Sequence, residues 1–417
     1  MMMAPAVEAG WHTPVPDDHP AAALLCAEAV RKRCATVSSA VVGGRSPFFE
    51  WHAEALPETA LYVADTIRLD YPDLDVPYHS RWRHFEVGGV DRWQALAGEL
   101  LNGDRLEAAR VAVDLVIPSV LLDAGAGPAW RFRDKASGQL LARSEGLGVA
   151  SLALFAGGAF SSDPARPLRS DAAALARFDE SRLAADFQVR ADNPLVGLGG
   201  RAGLLRRLGE VVGATPAVFG EPARLGNLVD YFLIHAGEGR IRAGAVLATL
   251  LRALGPVWPG RIRLQGIALG DCWQHPALDD ELLPFHKLTQ WLTYSLLEPL
   301  ELAGLEVTGL DALTGLPEYR NGGLLLDFGI IRPRNPEFWR TRWRVDATAI
   351  VEWRALTVST LDELAERVRA ELGVDTAAFP LARVLQGGTW SAGRRIAAQR
   401  REGGPPPIDI VSDGTVF

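Results

Sequence analysis

Of the 43 lysines and arginines in the 417-residue chain, only three are lysines: Lys32, Lys135 and Lys287. Arginine dominates in this way where any cation is acceptable. A lysine kept against that bias marks a place where arginine would not serve, because only lysine sheds its proton when buried and acts as a nucleophile or Schiff-base former. Lys32 stands between two arginines and reads as a solvated helix end, and Lys135 lies in a polar turn. Lys287 instead lies in the apolar stretch 284–296. On a helix turning about 100° per residue, Lys287, Trp291, Tyr294 and Glu298 share a sector, with His286, Gln290 and Thr293 beside it. Phe285, Leu288, Leu292 and Leu296 take the opposite side. A cation, an imidazole, an amide and aromatic rings facing one space suit a small molecule with a flat part and an anionic part. The competing reading is an ordinary amphipathic helix with a snorkelling lysine in cation–π contact with Trp291.

A second group follows at 316–323. Glu318, Tyr319, Arg320 and Asn321 read as a tight polar loop, and Gly322-Gly323 would let the backbone approach a ligand. Asp327 sits inside the apolar run 324–331. A carboxylate there is either paired or has a raised pKa, and both occur at acid–base sites; the alternative is a structural Asp bonding the amides of 318–323. Glu352 and Arg354 alternate along 348–358 and would share one face of a strand, as ligand contacts or as an ion pair. Arg81, Trp82 and His84 crowd the segment 79–85, which fits a lid, a phosphate clamp or a contact between lobes. Asp123-Ala124-Gly125-Ala126-Gly127 is a glycine signal without the full dinucleotide fingerprint, and the chain has no Walker A string. Asp271 and His275 are four apart and could share a helix face, but they lack a third ligand at a readable spacing, so no metal site is expected.

The elements that must position these residues read as mainly α-helical with a minor strand component. Helical spacing covers 20–36, 91–124, 200–212, 241–254 (stopped by Gly255-Pro256) and 285–303. A short strand is expected at 262–269 and a strand or an extended lead into a helix at 348–358. Thr360 and Glu363 form a capping box for a helix over about 361–372 that Gly373 closes. The expected organisation is a loose segment over 1–20, an N-terminal helical lobe over 21–160 and a Pro-bearing connection at 158–181. A C-terminal helical lobe carrying the site follows over 182–385, then a surface tail over 386–417. The formal charge of −8 argues against a nucleic-acid partner. Three cysteines give no disulfide framework, which points to a cytoplasmic setting. No membrane-spanning run and no signal peptide is visible.

Five strings together carry a resemblance over roughly residues 25–385: His79–Phe85, Leu121–Gly127, Ala191–Leu198, Phe285–Leu292 and Leu316–Gly323. They resemble the uracil-catabolism family, the fourth component of the reductant-independent URC (urg) pathway. In that pathway uracil becomes UMP, a cyclohydrolase-like enzyme opens the ring, and ribosylurea-type intermediates lead to urea. More distantly, Lys287-x-x-Gln290 followed by Glu352-Trp353-Arg354-Ala355 is similar to the queuosine-salvage ribonucleosidases. Those are helical relatives of DNA glycosylases that cleave the N-glycosidic bond of a nucleoside 5′-phosphate. That similarity implies a DNA-glycosylase-like helical core with Lys287 and Gln290 facing the ligand. Those enzymes carry Asp where this chain has Phe285, so their nucleophile has no counterpart here.

The resemblance implies an N-ribosidase, independent of metal and cofactor, that hydrolyses ribosylurea or its 5′-phosphate to ribose (or its phosphate) and urea. The substrate would be a phosphosugar or nucleotide-derived small molecule. Glycoside hydrolysis needs a carboxylate at the oxocarbenium-like centre and an acid for the leaving nitrogen. Asp327 or Glu318 would supply the carboxylate. Lys287, Arg320 and Arg81 would hold phosphate, while His286, Gln290 and Asn321 would bond urea or ribose hydroxyls and Trp291 or Tyr319 would stack. The alternative is a non-catalytic binding partner of the cyclohydrolase-like pathway enzyme.

Overall fold

Residues 15–258 and 261–411 are described by the computed structural model. The chain is mainly α-helical, and its strands are two or three residues long and pair only two by two. Among the described residues, no helix is long and apolar enough to cross a membrane. The segment expected to be loose lies largely outside the described residues; of its described part Val15 is buried and 16–18 are exposed, and the turn Pro20–Leu24 that follows buries Ala21, Ala22 and Leu24.

Two helices form the centre. Lys287–Leu302 packs against Arg105–Leu121, and Thr348–Leu372 takes Ala27–Val42 and Leu56–Asp70 against its sides. Every residue from Leu288 to Leu297 and from Ala349 to Val358 is buried. A helix covered all round must satisfy its polar side chains internally. Gln290 does so by donating to Thr314 Oγ1 (2.6 Å) and the Phe285 carbonyl (3.1 Å) while accepting from the Thr314 amide (2.9 Å). The Tyr294 hydroxyl donates to the Thr314 carbonyl (3.2 Å). Thr293 and Ser295 donate to carbonyls one turn back.

The same burial decides the segment 348–358, expected as a strand or an extended lead into a helix: it is neither, and forms the first three turns of one continuous helix. Its polar residues alternate because they meet different partners around the circumference, not because they share a face. The expected terminator holds: Gly373 closes the helix at φ 71°. The short strand expected at 262–269 is a hairpin, Arg263–Leu264 against Ile267–Ala268. The helical stretch 91–124 is two helices, Arg92–Asn102 and Arg105–Leu121, broken where Asp104 caps the Glu107 amide (2.9 Å). One hydrophobic cluster runs continuously through residues on both sides of the segment 158–181.

Two further expectations are overturned. Glu318–Asn321 is not a loop: Glu318 is the N-cap of the helix Tyr319–Asp327. The C-terminal stretch is not a surface tail. Gly387, Gly388 and Thr389 are buried, the helix Trp390–Arg400 packs on Tyr319–Asp327, and Asp409–Val411 pairs in parallel with Arg342–Arg344. The glycines that made these segments read as loops serve close helix approach. A Cβ at Gly393 would overlap the Arg320 carbonyl, and one at Gly322 would overlap the Trp353 ring.

Gly393→Ala is therefore expected to lower stability by about 1–3 kcal/mol through overpacking. Gly203→Ala, at a helical position with nothing within 4 Å, should be neutral or stabilising. Chemical denaturation midpoints of the two variants check both.

Candidate active site

Lys287 is the first residue of its helix, and its position is built from behind. His286, the residue before it, takes a left-handed backbone (φ 50°, ψ 34°) that costs a non-glycine residue energy. Asp271 holds this turn: its carboxylate accepts the Lys287 amide (3.0 Å) and its carbonyl accepts the Phe285 amide (2.8 Å). Asp271 is itself gripped by Arg354 in a two-pronged pair (2.8 and 2.8 Å) and by Trp273 Nε1 (2.6 Å). Burial pushes the Asp271 carboxyl up, but the Arg354 guanidinium and these hydrogen bonds outweigh it and hold the group well below the usual carboxylate range. The lysine side chain, half-buried, then enters a cavity of about 410 Å³.

Glu318 stands in the same cavity. As N-cap it accepts the free amides of Arg320 (2.7 Å) and Asn321 (2.5 Å), which fixes the carboxylate against a helix N-terminus. A second carboxylate, Asp123, is anchored by Arg81 Nη1 (2.7 Å) and Ser144 Oγ (3.1 Å). The fully buried Arg81 is in turn held by Ser119 (2.7 Å). Between these charges lies an aromatic box in which His79 and His84 each contact both Trp291 and Trp390, with ring centres 5.8–6.4 Å apart. Tyr319 and Arg320, with Arg143, Glu145 and Arg394, complete the walls.

Electrostatics draw the key groups toward one another. Burial lowers the Lys287 ammonium below its ordinary value against the attraction of Glu318. Burial raises Glu318 above the usual carboxylate range against the two helix amides. An amine shifted down and a carboxyl shifted up in one cavity can exchange protons with a ligand closer to neutral pH than either could in water. Desolvation lowers His79 to about 4 and His84 to about 3, so both imidazoles are neutral there.

A family profile described as "Protein of unknown function (DUF1688)" matches residues 23–417. The chain belongs to that family. It is 40% identical over 408 residues to "Protein urg3" of Schizosaccharomyces pombe, covering 95% of this chain and 98% of the relative. It is 36% identical over 411 residues to "Uracil catabolism protein 4" of Lachancea kluyveri, covering 90% and 93%. The family resemblance carried by the five sequence strings is thereby borne out.

Within this member of the family, the residues singled out in the sequence divide. Lys287, Glu318, Trp291, Tyr319, Arg320 and His84 line the one cavity, with Arg81 directly behind Asp123. Asp327 does not line it: its carboxylate is clamped by Arg401 (2.7 and 2.6 Å), tying the helix Tyr319–Asp327 to the end of Trp390–Arg400. Asn321 bonds the Leu316 carbonyl (3.0 Å) and Thr389 Oγ1 (2.8 Å). Gln290 is spent on Thr314, and His286 Nε2 meets the Leu24 carbonyl (2.9 Å) on the far side of the turn. Trp82 is in the core, its Nε1 donating to the Ser295 carbonyl (2.8 Å).

Glu352 and Arg354 do not pair, because two residues apart on a helix they point to nearly opposite sides. Glu352 meets Ser46 and His275, while Arg354 meets Asp271. Asp271 and His275 flank the strand Cys272–Gln274 instead of sharing a helix face. Sequence reasoning missed the carboxylate role of Asp123, together with Arg143, Glu145, Trp390 and Arg394. The i, i+4 spacing of Trp390 and Arg394 was the available signal, hidden by the glycine- and arginine-rich stretch around it.

The two neutral imidazoles make stability depend on pH. Their folded pKa values lie below the unfolded 6.5, so the unfolded chain binds more protons between those values, and stability falls as pH drops through that window. Between pH 7 and pH 5 the loss should be on the order of 2 kcal/mol per imidazole. Denaturation curves of wild type and of the His79→Phe/His84→Phe double variant at the two pH values check it: the acid loss should be distinctly smaller in the variant.

Proposed function

We propose that the chain works in uracil catabolism as an N-ribosidase, hydrolysing ribosylurea or its 5′-phosphate to urea and ribose or ribose 5-phosphate. The names of its relatives support the pathway. The observation that carries the chemistry is that Glu318 and Lys287, with pKa values drawn toward each other, share one aromatic-lined cavity. Cleavage of the C1–N bond builds positive charge on the ribose carbon and negative charge on the departing urea nitrogen. Glu318, oriented by the two amides of its own helix, faces the oxocarbenium-like centre. The Lys287 ammonium gives its proton to the leaving nitrogen, and burial makes it a stronger acid than a lysine in water. Water then forms the C1–O bond and returns a proton to the Lys287 amine, so the enzyme ends as it began. Asp123, fixed by Arg81 and Ser144, accepts from ribose hydroxyls, and the Trp291 and Trp390 rings cover the leaving urea.

Purified protein should release urea from at least one of the two substrates. Lys287→Arg keeps the charge but changes its shape and its ability to deprotonate. Turnover should fall at least tenfold, about 1.4 kcal/mol of transition-state stabilisation, with the melting temperature nearly unchanged. Glu318→Gln, which keeps one acceptor for the helix cap, should lose as much or more. Asp327→Asn should behave in the opposite way, losing about 1–3 kcal/mol of stability while turnover per folded molecule is kept. Both substrates remaining intact after prolonged incubation with folded protein would overturn the proposal.

A further inference from the structure

The two ends of the cavity differ in chemistry. At its mouth three guanidiniums converge from three separate elements: Arg143 at the start of the helix Arg143–Ala156, Arg320 in Tyr319–Asp327 and Arg394 in Trp390–Arg400. Burial, and then the Arg143 and Arg394 charges acting against the pull of Glu318, lower the proton affinity of Arg320, which places the three within one another's field. The acid among them is Glu145, paired with Arg394 at 2.5 Å. Deeper in, Lys287 and Glu318 offset each other, so the mouth keeps an excess of positive charge. Arg320 gives one N–H to the Gly404 carbonyl (2.9 Å), which leaves most of a five-donor group uncommitted by that bond. Arg143 is exposed and held with a left-handed backbone (φ 53°), a conformation costly for any residue but glycine. Clustering like charges at a strained position is unfavourable unless an anion neutralises them.

The floor is uncharged. It consists of the neutral imidazoles and the two tryptophan rings. Trp291 Nε1 and His84 Nδ1, both shielded from water, have no hydrogen-bond partner among the described residues. A ligand end with both donors and acceptors, such as a urea group, would satisfy them after a small ring adjustment.

We infer that the substrate is the 5-phosphate ester of the pentose, bound with its phosphate on Arg143, Arg320 and Arg394 at the mouth and its neutral urea end against the His84 and Trp291 floor. A phosphate dianion presents three oxygens and matches several guanidinium forks at once, which no uncharged riboside does. The urea end rests on the ribosidase reading; the phosphate site does not.

Titration calorimetry at low ionic strength with ribose 5-phosphate and with ribose tests the phosphate site directly. Ribose 5-phosphate should bind at least tenfold more tightly than ribose. Arg143→Gln and Arg320→Gln should each weaken it at least tenfold. In the urea-release assay the same variants should raise KM for ribosylurea 5′-phosphate by a similar factor, with kcat within threefold. Arg143 is exposed, so its variant keeps the fold even if the Arg320 variant does not. Equal affinity for the two sugars, or arginine variants that bind ribose 5-phosphate as wild type does, would overturn the inference. Arginine-dependent binding of ribose 5-phosphate without urea release from either substrate would sink the ribosidase reading and leave the phosphate site standing. Equal urea release from both substrates without arginine dependence would do the reverse.

Discussion

The buried pair of Asp271 and Arg354 is the interaction on which the candidate site depends. Removing either partner would leave an uncompensated charge in the core, which typically costs about 3–5 kcal/mol. The pair joins the long helix Thr348–Leu372, the strand Cys272–Gln274 and the first turn of the helix Lys287–Leu302. It is also the cap that lets His286 hold a left-handed backbone, because the Lys287 amide is satisfied by a residue sixteen positions away and not by its own N-cap side chain. Arg354 further lies over the Phe285 ring, 4.1 Å from its centre. One ion pair therefore sets both the direction in which Lys287 leaves the backbone and the stiffness of the turn that presents it.

The opposite wall is set by a different device. Glu318 reaches the cavity because it caps the helix Tyr319–Asp327, and that helix can approach its neighbours because Gly322 and Gly393 carry no Cβ. Arg81 and Ser144 do for Asp123 what the helix amides do for Glu318. The two carboxylates Asp123 and Glu318 are thus pinned by partners behind them, so a ligand would meet both already oriented. Preorganisation of that kind lowers the cost of electrostatic stabilisation at the moment of reaction.

Desolvation is common to all of these groups. It lowers Lys287, His79 and His84 and raises Glu318, in each case favouring the uncharged form. At the mouth it reaches Arg320, while Arg143 and Arg394 are exposed to water. The cavity is therefore a low-dielectric chamber with a charged rim, an arrangement that separates recognition of an anion from chemistry at a neutral group.

The helical class, the terminators Gly255-Pro256 and Gly373, the family and the unusual lysine were all determined by sequence alone, because each rests on local propensity, composition or contiguous strings. The first turns of the helix 348–372 do not show in the sequence as helix, because a helix buried on every side has no polar face for periodicity to find. Partner choice was decided only in three dimensions. Asp327 and Glu318 are both acidic residues near the same glycines, yet Arg401 claims one and the cavity the other. Arg354 and Arg320 are both arginines, yet one is spent on Asp271 and the other opens on the cavity. Trp390 and Arg394 enter from a segment that reads as a tail. A residue's type announces what it can do, but which neighbour neutralises it depends on packing between elements far apart in the chain, and single-sequence spacing carries no record of that.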